Sequence, residues 1–594
     1  MSSAGHQLCC TQSRVTTMRQ ATSGVMVLMT LLMAGCEGFH IGETASAGQR
    51  DLQKTVQHVL QESNRPAYVT RDREGTRLWK LTRTFYGRRE FAPAWIERGS
   101  PRPQMKALIR AVHAADREGL DPELYSARLL DQRMEEASKG FLTSKGFNAR
   151  EAVAMDVWLT WLYVKFASDL ADGVSDLAHA DPSWKIRPEP FDPLARLEAA
   201  LRDNRVAESL FELTPTHQDY RALQKALAEY RRKATRGDWP AVPSNLSLKA
   251  GASSPQVVLL ARRLAASGDY AGSVPAGNHA ITYGPDLQEA VKRFQHRHGL
   301  ADDGVAGPAL AAELNVPLEA RIRQIALNME RWRWLPRELG DRYILVNIPE
   351  MRLDVWDRGT VPLSMRVVVG KPETQTPIFN DEMTHIVFAP YWNVPADIAK
   401  KETLPAVVRD PGFLDRMNMT VVDAGGREVD PESIDLATPD SYRFRQRPGT
   451  SNALGLVKFM FPNQFNVYLH DTPADSLFER ASRSLSHGCV RLEQPEKLAE
   501  YVLRDQPEWT ADRIGQAMHA GQERTVKLSR RIPVYLGYWT SRVGSDGAVQ
   551  FRKDLYRIEE RLSAKLAERL GRLKTSAVAA VGATAPDATT EAKP

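Results

Sequence analysis

Tyr468-Leu469-His470-Asp471-Thr472-Pro473 and, further along, Ser486-His487-Gly488-Cys489-Val490-Arg491 set a cysteine near two histidines, in short apolar runs that read as strands. A free thiol with a pKa of about 8.5 is mostly protonated at neutral pH, so acyl chemistry needs a base or a positive field to make the thiolate. Histidine supplies both, and His470 and His487 are the candidates. His487 stands two residues before Cys489, which limits how its ring reaches the sulfur, whereas His470 lies 19 residues upstream on a strand of its own and can face the thiol. Asp471 is not expected to orient His470, because neighbouring strand residues point to opposite faces; a backbone carbonyl or a serine is expected instead. Gly488 allows a substrate backbone to come close, and its N–H with that of Cys489 forms a candidate oxyanion hole. Arg491, two residues past Cys489, falls on the same strand face, where a cation either binds a substrate carboxylate or closes a structural salt bridge.

Upstream of this pair the period is strand-like, at Tyr343–Ile348, Arg352–Trp356 and Leu363–Val369, which predicts a meander. After Tyr391-Trp392-Asn393-Val394-Pro395 comes a Pro-, Asp- and Gly-rich stretch, read as a lid inserted at about 396–447. Tyr391 and Trp392 either line the cleft or belong to a core. Downstream, a short strand at Ile532–Trp539 and a helix at Leu555–Leu573 are predicted, followed by an Ala/Thr/Pro tail expected to be disordered. Residues 54–247 read as mainly helical. Within them Val157–Val164 is apolar enough to suggest a membrane span, but Asp156, Lys165 and Asp169 bracket it too closely, and a buried helix is expected. Pro240–Pro255 reads as a boundary before helices at Val257–Ala266 and Leu287–His298.

At the N-terminus the first 36 residues hold no acid, carry Arg14 and Arg19, and run apolar from Val25 to Ala34, the order of an export signal. Met33-Ala34-Gly35-Cys36 resembles a lipoprotein box, which implies lipidation of Cys36; the alternative is cleavage at Ala45-Ser46-Ala47, and translation starts at Met1 or Met18. Cys9 and Cys10 go with the leader, which leaves Cys489 without a disulfide partner in the mature protein. The 594 residues, 42% hydrophobic and 26% charged, suit several soluble domains, and a net charge of +6 with no basic run implies no nucleic acid partner. No C-x-x-C or H-E-x-x-H occurs and the spacing of His470, His487 and Cys489 is poor for ligation, so neither metal nor cofactor is expected.

Two resemblances follow. Ala290–Leu300 with Asp303-Gly304-Val305-Ala306-Gly307 resembles the peptidoglycan-binding domain family, a three-helix module; Gly299 ends a helix, Asp303-Gly304 turns, and Pro308 opens the next helix. The Ser-His-Gly-Cys segment with its upstream histidine resembles the signature of L,D-transpeptidases of the YkuD type. Asn328–Trp334, Pro390–Pro395 and Tyr538-Trp539-Thr540 are similar to that family's large multidomain Gram-negative branch. The resemblance implies a multidomain α+β chain: a helical scaffold (54–247), a peptidoglycan-binding module (248–317), a connecting helix (318–342), a mostly β catalytic domain (343–504) and a C-terminal extension (505–573). Leader (1–36), tether (37–53) and tail (574–594) flank these. It further implies Cys489 as nucleophile, His470 as base, the Gly488 and Cys489 amides as oxyanion site, Tyr468 and His487 in support, and Ser486, Arg491, Trp392 and Tyr391 at the substrate. The donor and acceptor would be peptidoglycan tetrapeptide stems, with D-alanine released and third-position diaminopimelate residues joined. Carbapenem acylation and other wall-synthesis enzymes as partners come with the same resemblance, and the leader with its lipoprotein box implies a periplasmic, lipid-anchored location. Water or a protein lysine as acceptor stays open, as does a catalytically silent wall tether.

Overall fold

The computed structural model describes residues 49–582 apart from 62–64, 98–99, 143–148, 175–182, 278, 411, 424 and 431–441. The leader, Cys36, most of the tether and the tail beyond 582 lie outside the described residues. Helix begins at Gln49, so the last residues assigned to the tether belong to the helical region instead.

The helical region is built around α1 (Ala149–Asp172), which is apolar on nearly every face and therefore buried on nearly every face. Its polar groups are answered inside the fold. Asp156 accepts the Ala94 and Trp95 amides at 2.9 and 2.7 Å and the Tyr86 hydroxyl at 2.5 Å, and Lys165 pairs with Asp169 at 2.6 Å. Among the described residues no helix is long and apolar enough to cross a membrane.

The small module has its own core of α2 (Pro255–Ser267), α3 (Pro285–Arg297) and α4 (Pro308–Leu314). Val242, Leu246 and Leu248 belong to that core too, so the module starts before residue 248. Gly299 takes a φ of 67° just past α3, in the left-handed region where glycine ends helices. The module docks on the C-terminal region: Arg297 donates to the Val549 carbonyl at 3.1 Å, and Arg552 donates to the Arg297 carbonyl at 2.7 Å.

The segment expected merely to connect is a heavily engaged helix, α5 (Leu318–Arg333). Glu330 accepts from Arg333 at 2.8 Å, from the Val174 amide at 2.5 Å and from Trp334 Nε1 at 3.0 Å. Arg333 also donates to the Tyr220 hydroxyl at 3.0 Å and to the Glu118 carbonyl. Asn328 accepts the Thr540 amide at 2.8 Å, and Arg331 pairs with Glu559 at 2.9 Å. This helix thus ties the scaffold to both the catalytic sheet and the C-terminal helix.

The catalytic part is a nine-stranded sheet. In chain order its strands are β1 (Arg342–Asn347), β2 (Arg352–Asp357), β3 (Thr360–Gly370), β4 (Phe379–Phe388), β5 (Val457–Met460), β6 (Leu469–His470), β7 (Ser484–Ser486), β8 (Val490–Leu492) and β9 (Arg524–Gly537). They lie in the order β7-β3-β8-β6-β5-β4-β9-β1-β2, and β3 also pairs with β2, closing the sheet on itself. The boundary placed at residue 504 is corrected here. β9 runs from 524 rather than 532 and sits inside the sheet, antiparallel to β4 and parallel to β1, because a strand with neighbours on both sides leaves no open edge there. The final helix, Ile558–Gly582, is longer than expected.

Between β4 and β5 the chain makes the inserted unit: strands Trp392–Asn393, Met419–Asp423, Glu428–Val429 and Tyr442–Gln446 in a separate sheet, with helical turns at 396–409 and a small core of Val394, Leu414, Met419, Val421 and Phe444.

Removing a buried charge partner costs about 3–5 kcal/mol, whereas an exposed pair is worth about 0–1 kcal/mol. Glu330→Ala should therefore lower the urea midpoint of the chain far more than Arg88→Ala, which breaks only the half-exposed pair with Glu198; equal midpoints for the two variants would remove α5 from its central place.

Candidate active site

β6 and β8 are parallel neighbours with Leu469 opposite Val490 and His470 opposite Arg491. The residue before each strand follows the same register, so Tyr468 comes beside Cys489, and the Val490 amide donates to the Tyr468 carbonyl at 3.2 Å. The Tyr468 hydroxyl hydrogen-bonds the Cys489 sulfur, which also lies 3.8 Å from the Asn466 carbonyl oxygen. The Tyr468 and His470 rings meet edge to face, 5.7 Å apart. Cys489 itself is half-buried, and His470 is buried.

His470 places Nδ1 2.5 Å from the Asp471 backbone carbonyl oxygen. The Asp471 carboxylate points elsewhere, accepting the Leu456 and Thr472 amides at 2.7 Å each. Burial, reinforced by the Arg491 charge, depresses His470 to about 3. Burial pushes the Cys489 thiol above its ordinary value, opposed by the Tyr468 backbone, by Arg491 and by the Tyr468 hydroxyl. The resting pair is therefore a neutral thiol and a neutral imidazole, and a neutral imidazole can accept a proton. Arg491 forms no ion pair among the described residues, and its Nε is buried without a hydrogen-bond partner.

The oxyanion assignment needs correction at Gly488. Its N–H donates to Ser486 Oγ at 3.1 Å, and Ser486 Oγ in turn donates to the Cys489 carbonyl at 2.6 Å. This local turn, made possible by a φ of 119° at Gly488, uses the Gly488 amide and occupies the buried Ser486 hydroxyl, so Ser486 is a structural rather than a substrate-facing group. The Cys489 amide has no acceptor among the described residues. Trp392, partly exposed, packs on the core of the inserted unit, and Tyr391, also partly exposed, lies under Arg445, 5.6 Å from its guanidinium carbon. His487 is exposed, with Nε2 2.7 Å from Glu402 Oε1 of the inserted unit.

Sequence reading missed the groups that hold the turn. Thr376 Oγ1 donates to the Gly488 carbonyl at 2.8 Å and accepts the Gly370 amide at 2.9 Å; Thr374 Oγ1 donates to the Ser486 carbonyl at 2.9 Å. Tyr556, from the C-terminal region, accepts the Thr376 amide at 3.2 Å and donates to the Gly370 carbonyl at 2.8 Å. Gly370 is required because a Cβ there would come within 2.1 Å of the Thr374 carbonyl oxygen. Thr374-Gln375-Thr376-Pro377 carries a turn signal in sequence, whereas nothing in the sequence links Tyr556 to it.

Small displacements of a reacting group cost about 100-fold in rate. Thr376→Val should slow alkylation of Cys489 by iodoacetamide about 10- to 100-fold, with Thr376→Ser restoring it; wild-type rates in Thr376→Val would separate the threonine from the nucleophile. Because the Arg491 charge lowers the thiol pKa, Arg491→Met should move the alkylation midpoint to higher pH, measured as rate against pH.

Family models match residues 80–227 as a scaffold domain, 253–314 as a domain described provisionally as peptidoglycan binding, and 341–525 as an L,D-transpeptidase catalytic domain of the YkuD type. A curated protein of Haemophilus influenzae, named provisionally as an L,D-transpeptidase, is 34% identical over 249 residues, which are 41% of this chain and 50% of that protein. The chain thus spans half the length of that relative. Solved L,D-transpeptidase structures from Mycobacterium smegmatis (15% identity, 33% of this chain and 58% of that one) and Xylanimonas cellulosilytica (17%, 50% and 98%) both align with a TM-score of 0.16, too low to bear on the fold. The cysteine turn on its parallel strands thus lies within the residues that match a YkuD-type L,D-transpeptidase catalytic domain, and the same chain carries the matches to a scaffold domain and to a domain described provisionally as peptidoglycan binding.

Proposed function

We propose that the chain is a cysteine-dependent L,D-transpeptidase acting on peptidoglycan stems. The observation that carries this reading is the register of β6 and β8, which sets the Cys489 thiol beside Tyr468 and sets His470 beside Arg491 inside the matched domain. The peptidoglycan-binding match supports a wall substrate.

The chemistry runs in two halves. His470, neutral at rest, takes the thiol proton as the Cys489 sulfur attacks the carbonyl at the L-centre of diaminopimelate in a tetrapeptide stem. The Cys489 amide, left without an acceptor, holds the negative oxygen of the tetrahedral intermediate. The C–N bond to D-alanine breaks, the imidazolium returns its proton to the leaving amine, and a thioester remains. The Tyr468 hydroxyl supports the sulfur while it carries negative charge. Attack on the thioester by the side-chain amine of a second stem then forms a cross-link between third-position residues. Arg491, a cation with no carboxylate partner among the described residues, is suited to a stem carboxylate, which favours that role over a structural salt bridge. The leader supports export to the periplasm with Cys36 as lipid anchor, and the thioester chemistry supports acylation by carbapenems.

The test is mass spectrometry of products from diaminopimelate tetrapeptide muropeptides incubated with the wild-type chain and with Cys489→Ala. Cross-linked dimers that vanish in the variant are expected, together with a carbapenem adduct on the wild type alone. Tripeptide without dimers would make water the acceptor, and unchanged substrate would favour a silent wall tether.

A further inference from the structure

The thiol half of the site uses Tyr468, His470 and Arg491, and leaves one histidine unexplained. His487 and Cys489 flank Gly488, so their Cα atoms are at most about 7 Å apart. Where His470 is buried, His487 is open to solvent, the side from which a second substrate arrives. Its Nε2 lies 2.7 Å from Glu402 Oε1. A carboxylate only accepts, so Nε2 carries the hydrogen and the lone pair is on Nδ1, which has no hydrogen-bond partner among the described residues. Glu402 comes from the inserted unit, at 399–403, a segment distant in sequence from the cysteine turn. Imidazole backed by carboxylate is the arrangement that fixes one tautomer and stabilises the imidazolium once a proton is taken.

Taking the transpeptidase reading as its premise, we infer that His487, held by Glu402, is the base that activates the acceptor amine in the second half-reaction. A side-chain ammonium with an ordinary pKa of about 10.4 is almost entirely protonated at neutral pH and cannot attack a thioester until it loses a proton. His470 is poorly suited to this task, since burial and the Arg491 charge keep its basicity low. In the step proposed, His487 Nδ1 takes a proton from the acceptor ammonium, and the freed amine nitrogen attacks the thioester carbon and forms the C–N bond. The C–S bond breaks, and the departing Cys489 sulfur takes up the second N–H proton. The products are the amide, the thiol and an imidazolium paired with the Glu402 carboxylate, so atoms and charge balance without a co-reactant. His487 is then a catalytic residue for acyl transfer to amines, and Glu402 is its positioning residue.

The experiment reads partition of the acyl-enzyme. The purified full-length chain is given diaminopimelate tetrapeptide stems, and dimers are counted against hydrolysed tripeptide by mass spectrometry. The same donor is then used with hydroxylamine, a nucleophile already neutral at the assay pH. Glu402→Gln and His487→Gln should each lower the ratio of dimer to tripeptide by about tenfold or more. Capture by hydroxylamine should fall much less, and Glu402→Asp should recover part of the dimer. Equal losses with both acceptors would show that the pair only holds the inserted unit in place and would overturn the inference, as would unchanged ratios. If wild type yields no Cys489 acyl-enzyme at all, it is the transpeptidase reading that falls, and the inference with it. An acyl-enzyme that forms normally while the variants partition like wild type removes the inference alone.

Discussion

Parallel pairing of two very short strands governs the site. Leu469–His470 and Val490–Leu492 share few backbone hydrogen bonds, and such a pair is weak by itself. It persists because each strand has a second neighbour, β5 beside the first and β3 beside the second, within a sheet that closes on itself. Register in a sheet is all or nothing: a slip of one residue would turn His470 and Cys489 to opposite faces. Leu469, Val490 and Leu492, all buried, resist that slip, since exposing them costs roughly 1.5–3 kcal/mol each. The geometry around the cysteine turn is thus held by buried apolar residues of the sheet.

A second constraint comes from α5. Its buried Glu330, Arg331 and Arg333 would each carry a heavy desolvation penalty alone. Their partners lie in the scaffold, at Val174, Glu118 and Tyr220, and at Glu559 in the final helix. One apolar cluster runs from Leu52 in the scaffold through the sheet strands to Leu562, so scaffold and catalytic sheet share a core. The module matched as peptidoglycan binding and the inserted unit have separate cores. This division leaves one shared core carrying the cysteine turn, with two units of separate core, of which the inserted one meets that turn through Glu402 and His487.

The inserted unit bears on the site through Glu402 and His487. Its own core is small, and Trp392 packs against that core. An aromatic pair in a Pro-rich stretch reads as substrate platform or as packing, and here the short strand Trp392–Asn393 pairs with Tyr442–Gln446 and Trp392 packs, partly buried, against the small core of the unit.

Much of the architecture was legible from local signals. The strand meander from Tyr343, the buried helix bracketed by Asp156 and Asp169, and the glycine and proline punctuation at Gly299 and Pro308 all depend on residues close in sequence, where propensity and turn chemistry act. The sequence by itself also determined the reactive groups, since a lone thiol with two histidines at those spacings admits few chemistries. Other features needed the tertiary structure because they join distant parts of the chain. Thr376 and Tyr556 brace the cysteine turn from 112 and 186 residues away from their partners. β9 completes the sheet from beyond the expected domain boundary, and Glu402 reaches His487 across 85 residues. Even the Gly488 amide, adjacent to the nucleophile, was decided by the fold: the left-handed turn directs it to Ser486, and which amide stays free for an oxyanion is set by backbone direction, a quantity that residue identity does not carry.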